Sequence, residues 1–473
     1  MDTKKLRQKI LDLAIHGKLV PQDPNDEPAS VLLERIKAEK ERLIKEGKIK
    51  RSKKSAKTSD TPHYENVPFE VPEGWVWTTL GEISTYGECN TITIDEIGKD
   101  DWILELEDLE KDTAAIIQTL TKKERSIKGV RHKFCKGEVL YSKLRTYLNK
   151  VLVAPNDGYC TTEIMPFNSF CSISTDYLCH VLRSSYFLGY TLQCGYGVKM
   201  PRLSTNDARK GMIPLPPLAE QLRIVNEIER SFAAINTLEN SKTHLQTAIK
   251  QAKNKILDLA IHGKLVPQDP NDEPASELLK RINPKVEITC DNGHSEKFPY
   301  DIPATWVWCG HNSILDISGG AQPSKSYFET TPKPNYVRLY QIRDYGESPV
   351  PIYIPINFAS KQTEKGDILL ARYGGSLGKV FHAEQGAYNV AMAKVIFKFD
   401  NLIYKEFAFY YYLSDLYQGK LKEISRTAQA GFNSTDFNDM YFPLPPLAEQ
   451  QRIVSKIEEL YSILDNIQKA LEV

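Results

Sequence analysis

The chain has 473 residues, 41% of them hydrophobic and 26% charged, and its 61 basic residues balance its 61 acidic ones. This length exceeds a single hydrophobic core, so we expect about two to four soluble domains. No run approaches the roughly 20 consecutive apolar residues of a membrane span, and the first residues lack the apolar core of a signal peptide. The pattern excludes a membrane protein, and we expect a cytoplasmic location.

The cysteines do not favour a metal site. None of the eight stands in a CxxC pair, the close spacing that structural zinc sites favour. The nearest approximations are Cys290 with His294 and Cys309 with His311. We therefore expect reduced thiols and no bound metal.

The first predicted element is an N-terminal segment, 1–66, made of a repeat helix and a charged linker. Its stretch KILDLAIHGKLVPQDPNDEPAS, 9–30, occurs again letter for letter at 255–276, an offset of 246. So long a run of identities requires an internal duplication. The linker that follows the first copy contains the charged run KAEKERLIKEGKIKRSKKSAK.

The second element, 67–217, is predicted to be a globular domain. It opens on VPEGWVW and ends in PLPPLAEQ, whose letters occupy 214–221. Short runs such as EVLYSKL and KVLVA predict strands, and YLCHVLRSSYFLGYTL predicts a helix. We expect a mixed α+β domain of ordinary size.

Opposite charges are concentrated in two neighbouring stretches of this domain. Residues 95–112 hold nine acidic side chains and two basic ones, whereas 122–150 hold ten basic and two acidic ones. A charge run is usually only a solvated face. The aromatic residues within the basic run, Phe134, Tyr141 and Tyr147, favour instead a surface for phosphates and bases.

The third element, 218–297, contains a long predicted helix. The segment has no proline or glycine before Gly263, and its apolar residues recur at steps of three and four. This spacing predicts a coiled-coil seam on one helix or a helix pair from Ala219 to about His262, ~66 Å long as a single rod at ~1.5 Å per residue. We expect the seam to be buried within the chain, while its outer faces could also serve a partner.

The fourth element, 298–446, repeats the plan of the first domain, and a final helix, 447–473, follows it. IPATWVW replaces VPEGWVW, and PLPPLAEQ returns at 443–450, an offset of 229. On the first offset Met1 falls at position 247, and on the second Val473 falls at 244. The repeat is therefore circularly permuted, and we expect the two chain ends to form a second rod, packed antiparallel against the central one.

Catalytic motifs are missing from the sequence. GGSLGKV at 374–380 resembles a phosphate-binding loop, but its glycines are wrongly spaced and Val380 stands where the magnesium-binding hydroxyl belongs. The chain also lacks the Asn-Pro-Pro-Tyr element of adenine methyltransferases, a paired-histidine motif and a serine elbow. We predict no catalytic residue.

Basic and amide side chains suited to DNA recur at corresponding places in both domains. One loop follows the strand-like EVLY or DILL, and a second loop, 195–207 or 426–436, precedes each PLPP exit. Arginine can grip a guanine edge, lysine can neutralise a phosphate, and Asn or Gln can pair with adenine. Each loop alone is more simply an ordinary exposed turn, and only their recurrence makes DNA contact an equal alternative. The candidate DNA-binding residues are Lys143, Arg145, Lys150, Lys199, Arg202, Gln322, Arg343, Arg372, Tyr373, Lys379, Arg426 and Asn433.

Taken together, these segments resemble a known family. The twin PLPPLAEQxRIV exits, the Trp-Val-Trp openings, the duplicated KILDLAIHGKLVPQDPNDEPAS and the LLERIKAEKERLIKEGKIK extension are similar to the specificity (S) subunit of type I restriction-modification systems, the HsdS family. WILELEDLEKD and SGGAQPSKSYF look like target-recognition sequences of that family. The resemblance covers essentially the whole chain.

The resemblance implies an α+β protein in which long antiparallel coiled-coil-like helices separate two mixed target-recognition domains. Each domain would read one half of a bipartite double-stranded DNA target. The helices would dock two methyltransferase subunits that bring S-adenosylmethionine, and restriction subunits would join with ATP and Mg. The chain itself would bind no cofactor.

The circularly permuted repeat also predicts how the two domains are oriented on DNA. A wrapped two-fold repeat predicts pseudo-two-fold symmetry, so the domains should meet DNA in opposite orientations, as repressor dimers meet half-sites ~34 Å apart. Because the two domains differ in most residues, we predict an asymmetric target with a fixed, unread gap.

Two other functions stay open on the residues alone. One is a helical interaction scaffold that binds no DNA; strongly salt-dependent, sequence-specific DNA retention would distinguish the two. The other is a self-sufficient nuclease, which needs a carboxylate cluster beside a lysine. The one tempting Glu-x-Lys, Glu46 to Lys48, lies in the charged linker, where a rigid site is not expected.

Overall fold

The computed structural model of the chain falls into two compact units, Met1–Ser241 (unit 1) and Lys242–Val473 (unit 2). The candidate residues Lys199, Cys290 and His294 lie outside the described residues, as does Lys48 of the charged linker. The structure describes residues 2–47, 67–196, 201–282, 284, 298–427 and 431–472, with the backbone alone at 425–427.

Unit 1 has the mixed α+β composition that its sequence predicts. Its described helices are α1 (Thr3–Ile15), α2 (Ala29–Lys45), α3 (Leu80–Ile83), α4 (Thr175–Arg183), α5 (Ser185–Cys194), α6 (Thr205–Lys210) and α7 (Leu218–Ile261), which continues into unit 2. Its described strands are β1 (Val76–Thr79), β2 (Thr91–Ile92), β3 (Trp102–Leu104), β4 (Leu120–Thr121), β5 (Arg131–Phe134), β6 (Val139–Ser142), β7 (Val151–Val153), β8 (Gly158–Cys160), β9 (Ile164–Phe167) and β10 (Met212–Leu215).

The strands of unit 1 form three sheets. Five strands lie in the order β2-β5-β8-β3-β4, three in the order β7-β6-β9, and β1 pairs with β10. The β1–β10 pair sets Trp77 opposite Pro214, so the start and the end of the globular part meet. Large buried aromatics, among them Phe167, Tyr177 and Phe187, fill the core between β6, β9 and the helices α4 and α5.

Unit 2 repeats this plan. Its remaining described helices are α8 (Ala275–Ile282), α9 (His311–Ile314), α10 (Lys405–Leu413), α11 (Asp415–Thr427) and α12 (Leu447–Ala470). Its described strands are β11 (Val307–Gly310), β12 (Leu315–Gly319), β13 (Tyr336–Tyr340), β14 (Tyr353–Pro355), β15 (Gln362–Thr363), β16 (Ile368–Ala371), β17 (Val380–His382), β18 (Gly386–Tyr388), β19 (Met392–Phe397) and β20 (Tyr441–Leu444).

The sheets of unit 2 correspond to those of unit 1. They have the orders β14-β13-β18-β15, β12-β19-β16-β17 and β11-β20, and the last pair sets Trp308 opposite Pro443. Strand β16 begins 229 residues after β6, and β17 begins 229 residues after β7. The internal repeat of the sequence is therefore a repeat of three-dimensional structure.

The predicted central rod is confirmed as one helix, α7, of 44 residues. In unit 1, α1 lies antiparallel along the first part of α7, and Arg7 of α1 donates hydrogen bonds to Asn236 (2.6 Å) and Glu239 (2.9 Å). In unit 2, α12 lies antiparallel along the last part, where Tyr461 donates its hydroxyl to the carbonyl of Lys253 at 3.1 Å. Each terminal helix therefore packs antiparallel against α7 within its own unit, as expected. That the two chain ends together form a second rod stays a prediction.

A hydrogen-bonded clasp holds the helices of unit 1 to its globular part. Glu220 of α7 accepts hydrogen bonds from the indole of Trp75 (2.8 Å) and the amide of Gln22 (2.7 Å). Three residues further along α7, Arg223 pairs with Asp26 at 2.6 Å. Burial raises the pKa of the Glu220 carboxyl, and the hydrogen bonds from Trp75 and Gln22 oppose that rise. Both carboxylate oxygens are partnered, which offsets the cost of burying the group.

The same clasp recurs in unit 2 with equivalent residues. Glu449 accepts hydrogen bonds from Trp306 (2.9 Å) and Gln268 (2.6 Å), and Arg452 pairs with Asp272 at 2.6 Å. In each unit the glutamine and aspartate come from the 22-residue repeat, the glutamate from PLPPLAEQ and the tryptophan from the Trp-Val-Trp opening. The duplicated segments are therefore the parts that build the clasp.

A close contact between a glycine and a proline completes each clasp. Gly17 (φ +65°) and Gly263 (φ +68°) both follow a helix end in the left-handed conformation. A Cβ atom on Gly17 would lie 2.3 Å from Cγ of Pro72, and one on Gly263 would lie 2.3 Å from Cγ of Pro303. Neither position has room for a side chain.

Neither a membrane span nor a metal cluster occurs within the described ranges. No described helix has the length and apolar character that crossing a membrane requires. Nor do three His, Cys, Asp or Glu side chains of those ranges cluster closely enough to hold a metal ion. His311, one of the approximate candidates, lies in the core with a ring nitrogen 2.8 Å from the hydroxyl of Tyr412.

Candidate nucleic-acid interface

The acidic run that precedes the basic run of unit 1 neutralises part of it. Lys150 is also engaged, because its ammonium group donates to the carbonyl of Leu106 at 2.7 Å, and burial lowers its pKa. Lys150 and the ion-paired residues of the run are therefore not free to bind phosphate. Three basic residues of the run form ion pairs with the acidic run: Lys123 with Asp100, Arg125 with Asp108 and Glu107, and Arg131 with Glu105.

The structure corrects the interpretation of the aromatics in this run. Phe134 on β5 and Tyr141 on β6 are buried in hydrophobic clusters, at 1% and 4% exposure. Neither can stack on a base from that position. Only Tyr147 reaches the surface, at 40% exposure.

Two of the loops that recur in the sequence converge in unit 1. The strand-end loop, 143–150, follows β6, and the exit loop, 195–207, precedes β10. The backbone N–H of Arg145 donates to the carbonyl of Pro201 at 2.7 Å, and the N–H of Leu203 donates to the carbonyl of Lys143 at 2.9 Å. Three sequence-predicted residues, Lys143, Arg145 and Arg202, are thereby brought together.

Arg202 reaches from the exit loop to a residue that the sequence did not single out, Glu163. Its guanidinium pairs with the Oε1 atom of Glu163, and the backbone N–H of Lys143 donates to the carbonyl of the same glutamate at 3.0 Å. Among the described residues, Oε2 of Glu163 and Nε of Arg145 are buried without a hydrogen-bond partner. A lone glutamate before a strand carries no sequence pattern that could have revealed it.

The corresponding loops converge in unit 2 around Arg372. This residue directly follows β16, and its Nε donates to the carbonyl of Phe432 in the exit loop, 426–436, at 2.8 Å. Its guanidinium lies 5.2 Å from the ring centre of Tyr373, a cation–π distance. A Cβ on Gly431 would come within 2.1 Å of the Arg372 carbonyl, so the exit loop approaches as closely as a backbone can. Arg372 is therefore held in a fixed direction by two loops.

The other candidates of unit 2 divide into neighbours of Arg372 and more distant residues. The candidate Gln322 is exposed and lies three positions after Gly319. Gly319 is close to Arg372, because a Cβ atom on this glycine would lie 2.8 Å from the Arg372 guanidinium. Lys379 is exposed at the end of the strand-end loop, 372–379, and Arg343 is exposed in a separate turn.

Two exit-loop candidates of unit 2 have other positions. Asn433 uses its side-chain carbonyl to accept the N–H of Thr435 at 2.9 Å, which caps the following turn. Arg426 lies in α11, where only the backbone is described. The structure therefore groups Arg372, Tyr373 and Asn433 but leaves the side chain of Arg426 unplaced.

The two strand-end loops share an unusual backbone. Gly374 (φ +60°) and Gly378 (φ +86°) adopt the left-handed conformation in unit 2, and 229 positions earlier Arg145 (φ +53°) and Asn149 (φ +52°) adopt it in unit 1. Glycine and asparagine tolerate this region, whereas an arginine there is strained by ~1–2 kcal/mol. Arg145 thus keeps a long basic side chain at a position where the equivalent loop has glycine. Strain of this kind gathers at functional sites.

The chain is similar to specificity subunits of type I restriction enzymes. A family model described as "Type I restriction modification DNA specificity domain" matches residues 303–473. The type I restriction enzyme EcoEI specificity subunit of Escherichia coli is 28% identical, over 99% of this chain and 91% of that protein. The EcoAI specificity subunit of the same organism is also 28% identical, over 97% and 88%.

Solved structures show the same fold. The HsdS subunit from Thermoanaerobacter tengcongensis matches with a TM-score of 0.52 and 19% identity, covering 85% of this chain and 93% of that one. A chain from a structure concerning complex assembly and conformational transition of the type I R-M system matches with a TM-score of 0.62 and 20% identity, covering 86% and 94%. At these identities the likeness concerns the fold.

Proposed function

Because the chain belongs to the specificity-subunit family of type I restriction-modification systems, we propose that it is a non-catalytic subunit that selects the DNA sequence on which its partners act. Each unit contacts one half of an asymmetric bipartite target through its strand-end and exit loops. The paired helices dock two methyltransferase subunits, which bring S-adenosylmethionine. Restriction subunits join them with ATP and Mg.

One observation carries the proposal. In both units the same two loops meet around an arginine, Arg145 or Arg372, that is held by the backbone or carbonyl groups of the opposite loop. A guanidinium held through one of its nitrogens, as that of Arg372 is by the Phe432 carbonyl, suits the bidentate grip of a guanine edge, and Arg145 brings the same chemical group to unit 1. Two such sites in one chain suit a target of two half-sites.

The asymmetry of the target follows from unlike residues at like positions. Arg145 of unit 1 corresponds to Gly374 of unit 2, while Lys143 corresponds to Arg372. Side chains of different length and hydrogen-bonding pattern read different base edges. The two half-sites should accordingly differ in sequence.

Mapping methylated adenines tests the proposal. The full chain is expressed with its methyltransferase subunit in a host that lacks other adenine methylation, and every modified site is sequenced. We expect one motif of two unlike halves around a gap of constant length. Binding of the complex to that motif should weaken steeply with salt, since phosphate contacts release counterions. Methylation without a common motif, or retention that ignores sequence, would favour the interaction scaffold.

The length of α7 gives a second test. Inserting one or two helical turns, roughly four or seven residues, after Ser241 places the added residues between Glu239, which pairs with Arg7, and Lys253, which pairs with Asp465. If α7 sets the spacing, the unread gap should lengthen while both half-sites stay the same. Methylation mapping measures the gap directly, and an unchanged gap would contradict this role.

The left-handed arginine predicts opposite effects on stability and on DNA binding. Arg145→Gly should raise the free energy of unfolding of unit 1 by about 0.5–1 kcal/mol, because the relief of strain exceeds the entropic cost of a glycine. The same change should weaken DNA retention. Lys143→Gly is the matched control: its backbone is ordinary, so that variant should lose stability. Urea unfolding and DNA competition measure the two effects, and a destabilised Arg145→Gly would argue against strain.

A further inference from the structure

The strand-end loop of unit 1, 143–150, is held at its end by Arg183, the last residue of α4. The side-chain amide of Asn149 donates to the carbonyl of Arg183 at 3.0 Å. The guanidinium of Arg183 donates to the carbonyl of Asp112 at 2.9 Å, and the N–H of Asp112 donates to the carbonyl of Leu148, also at 2.9 Å. Arg183 therefore reaches the end of the loop by two routes, one direct and one through Asp112.

The same residue is also bonded to the N-terminal helix, α1. The side-chain amide of Gln8 donates to the carbonyl of Arg183 at 3.3 Å. Lys4, one turn earlier on α1, forms an ion pair with Asp112 at 2.8 Å. Both contacts come from the helix whose Arg7 is bonded to α7. The strand-end loop is therefore connected to the paired helices through Arg183 and Asp112.

A short turn ties the end of the loop to its arginine. The 3-10 helix Thr146–Leu148 lies between Arg145 and Asn149. The N–H of Leu148 donates to the carbonyl of Arg145 at 2.9 Å. Asn149 is 4% exposed, so its side-chain amide would be buried without a partner if the carbonyl of Arg183 moved away. A displacement at Arg183 therefore displaces the turn, and with it the backbone that carries Arg145.

Unit 2 holds its strand-end loop in a different way. Gly378 stands 229 positions after Asn149, and Leu413 ends α10 as Arg183 ends α4. A leucine side chain has no hydrogen-bond donor, so the guanidinium contact of unit 1 has no equivalent in it. The carbonyl of Gly378 instead accepts a hydrogen bond from the side chain of Gln418 on α11 at 2.8 Å. The support of this loop comes from a helix of its own globular part.

A cavity of unit 2 lies beside the position that corresponds to the link between Gln8 and Arg183. Its volume is about 450 Å³, and both Leu413 and Asn254 line it. Asn254 is the counterpart of Gln8 by the offset of 246 between the two repeats. Open space in unit 2 thus adjoins the two residues whose counterparts connect helix and loop in unit 1.

We propose that Arg183 is a positioning residue for the first half-site: it transfers the position of α1 to the strand-end loop, and so to the guanidinium of Arg145. The inference rests on the proposed function, because it requires this loop to face DNA. Recognition of the first half-site then depends on α1, one of the paired helices, whereas recognition of the second depends on α11. The two halves of one target are supported by different parts of the chain.

Two substitutions that copy unit 2 test the proposal. Asn149→Gly removes the side-chain donor, and a glycine adopts the left-handed backbone at this position without strain. Arg183→Leu removes the guanidinium. The full chain, assembled with its methyltransferase subunit, is bound in competition to duplexes in which each base pair of both half-sites is replaced in turn. Each variant should lower the discrimination between right and wrong bases in the first half-site by about 3- to 10-fold and leave the second half-site unchanged.

A third variant tests the connection from the side of the helix. Gln8→Ala changes a residue of α1 and none of the strand-end loop, yet it should reduce discrimination in the first half-site by about 2- to 5-fold. Lys9→Ala, at the neighbouring exposed position of α1, is the matched control and should change neither half-site. Gln418→Ala should reduce discrimination in the second half-site alone.

A conservative variant distinguishes positioning from a merely structural role. Arg183→Lys keeps a charged donor, so it should retain more of the discrimination in the first half-site than Arg183→Leu does. A structural role alone would lower affinity for right and wrong bases alike, and preferences would stay as they are. Such a uniform loss, or equal loss of discrimination in both half-sites, overturns the inference.

Hydrogen exchange without DNA measures the connection independently of the proposed function. The N–H groups of Leu148 and Asn149 donate to carbonyls within the turn. Their exchange in the assembled complex should be faster in Gln8→Ala and Arg183→Leu, while the N–H groups of β6 keep their rates. Unchanged discrimination in these variants overturns the inference, whatever the exchange rates, and the proposed function stands if Arg145→Ala still alters the first half-site. An unaltered complex without any sequence preference overturns the proposed function itself.

Discussion

Arg372→Glu should abolish sequence-specific DNA binding by the assembled complex. The substitution removes a guanidinium held between Phe432 and Tyr373 and places a negative charge where DNA is proposed to lie. Loss of a bidentate base contact together with phosphate repulsion should lower affinity by at least about 3 kcal/mol, roughly a hundredfold. Arg145→Glu should do the same through unit 1. Methylation of the mapped target and DNA competition measure the loss, while co-purification with the methyltransferase subunit should be unaffected.

The matched control for Arg372 lies at the other end of the same strand. Lys365 is exposed in the turn before β16, whereas Arg372 follows directly after it. A strand of this length spans ~13 Å at ~3.3 Å per residue, so Lys365→Glu introduces the same charge well away from the proposed interface. It should reduce affinity only slightly. Equal losses in both variants would point to a general electrostatic effect and against a site at the loops.

Gly17→Ala and Gly263→Ala should each destabilise their unit by about 2–5 kcal/mol. The left-handed backbone costs an alanine ~1–2 kcal/mol, and forcing its Cβ into the neighbouring proline adds ~1–3 kcal/mol of overpacking. The contact affected is the one that closes each clasp, against Pro72 in unit 1 and Pro303 in unit 2. Urea unfolding followed by hydrogen exchange in each unit measures the effect.

Gly47 supplies the comparison that isolates the clasp. It follows α2 as Gly17 follows α1, in the same left-handed conformation (φ +71°), but no atom of the described residues lies within 4 Å of the Cβ that an alanine would have there. Gly47→Ala should therefore cost only the conformational ~1–2 kcal/mol. If Gly17→Ala cost no more than Gly47→Ala, Pro72 would have moved aside and the contact would contribute little.

The helical part of the fold was predictable because its signal is periodic and local. The absence of proline and glycine before Gly263, with apolar steps of three and four, predicted α7 to within a residue at each end. The duplicated stretches predicted that one plan occurs twice, and the paired strands β1–β10 and β11–β20 confirm it. The role of these stretches in the clasp could not be predicted from the sequence, because the hydrogen bond between Trp75 and Glu220 joins residues that are 145 positions apart.

The side-chain detail of the site was less predictable. Whether Tyr141 faces the core or a base depends on the register of β6, and a run of mixed residues does not fix that register. Ion pairs such as that between Arg131 and Glu105 neutralise basic side chains that, in the sequence, were counted as possible phosphate contacts. The sequence showed only that the strand-end and exit loops recur in both domains; that the two loops of a unit meet is seen in contacts such as the one between Arg145 and Pro201.

The clasp of each unit is separate from its strand-end and exit loops, and this separation has an evolutionary consequence. The residues that fasten each unit, such as Glu449 and Trp306, are distinct from those that line its loops, such as Arg372 and Asn433. Random change in the loops can therefore alter binding preference without a matching loss of folding stability. A protein arranged in this way can change its binding preference by successive loop substitutions, each of which leaves a stably folded protein. Such evolvability favours the appearance of variants with different preferences.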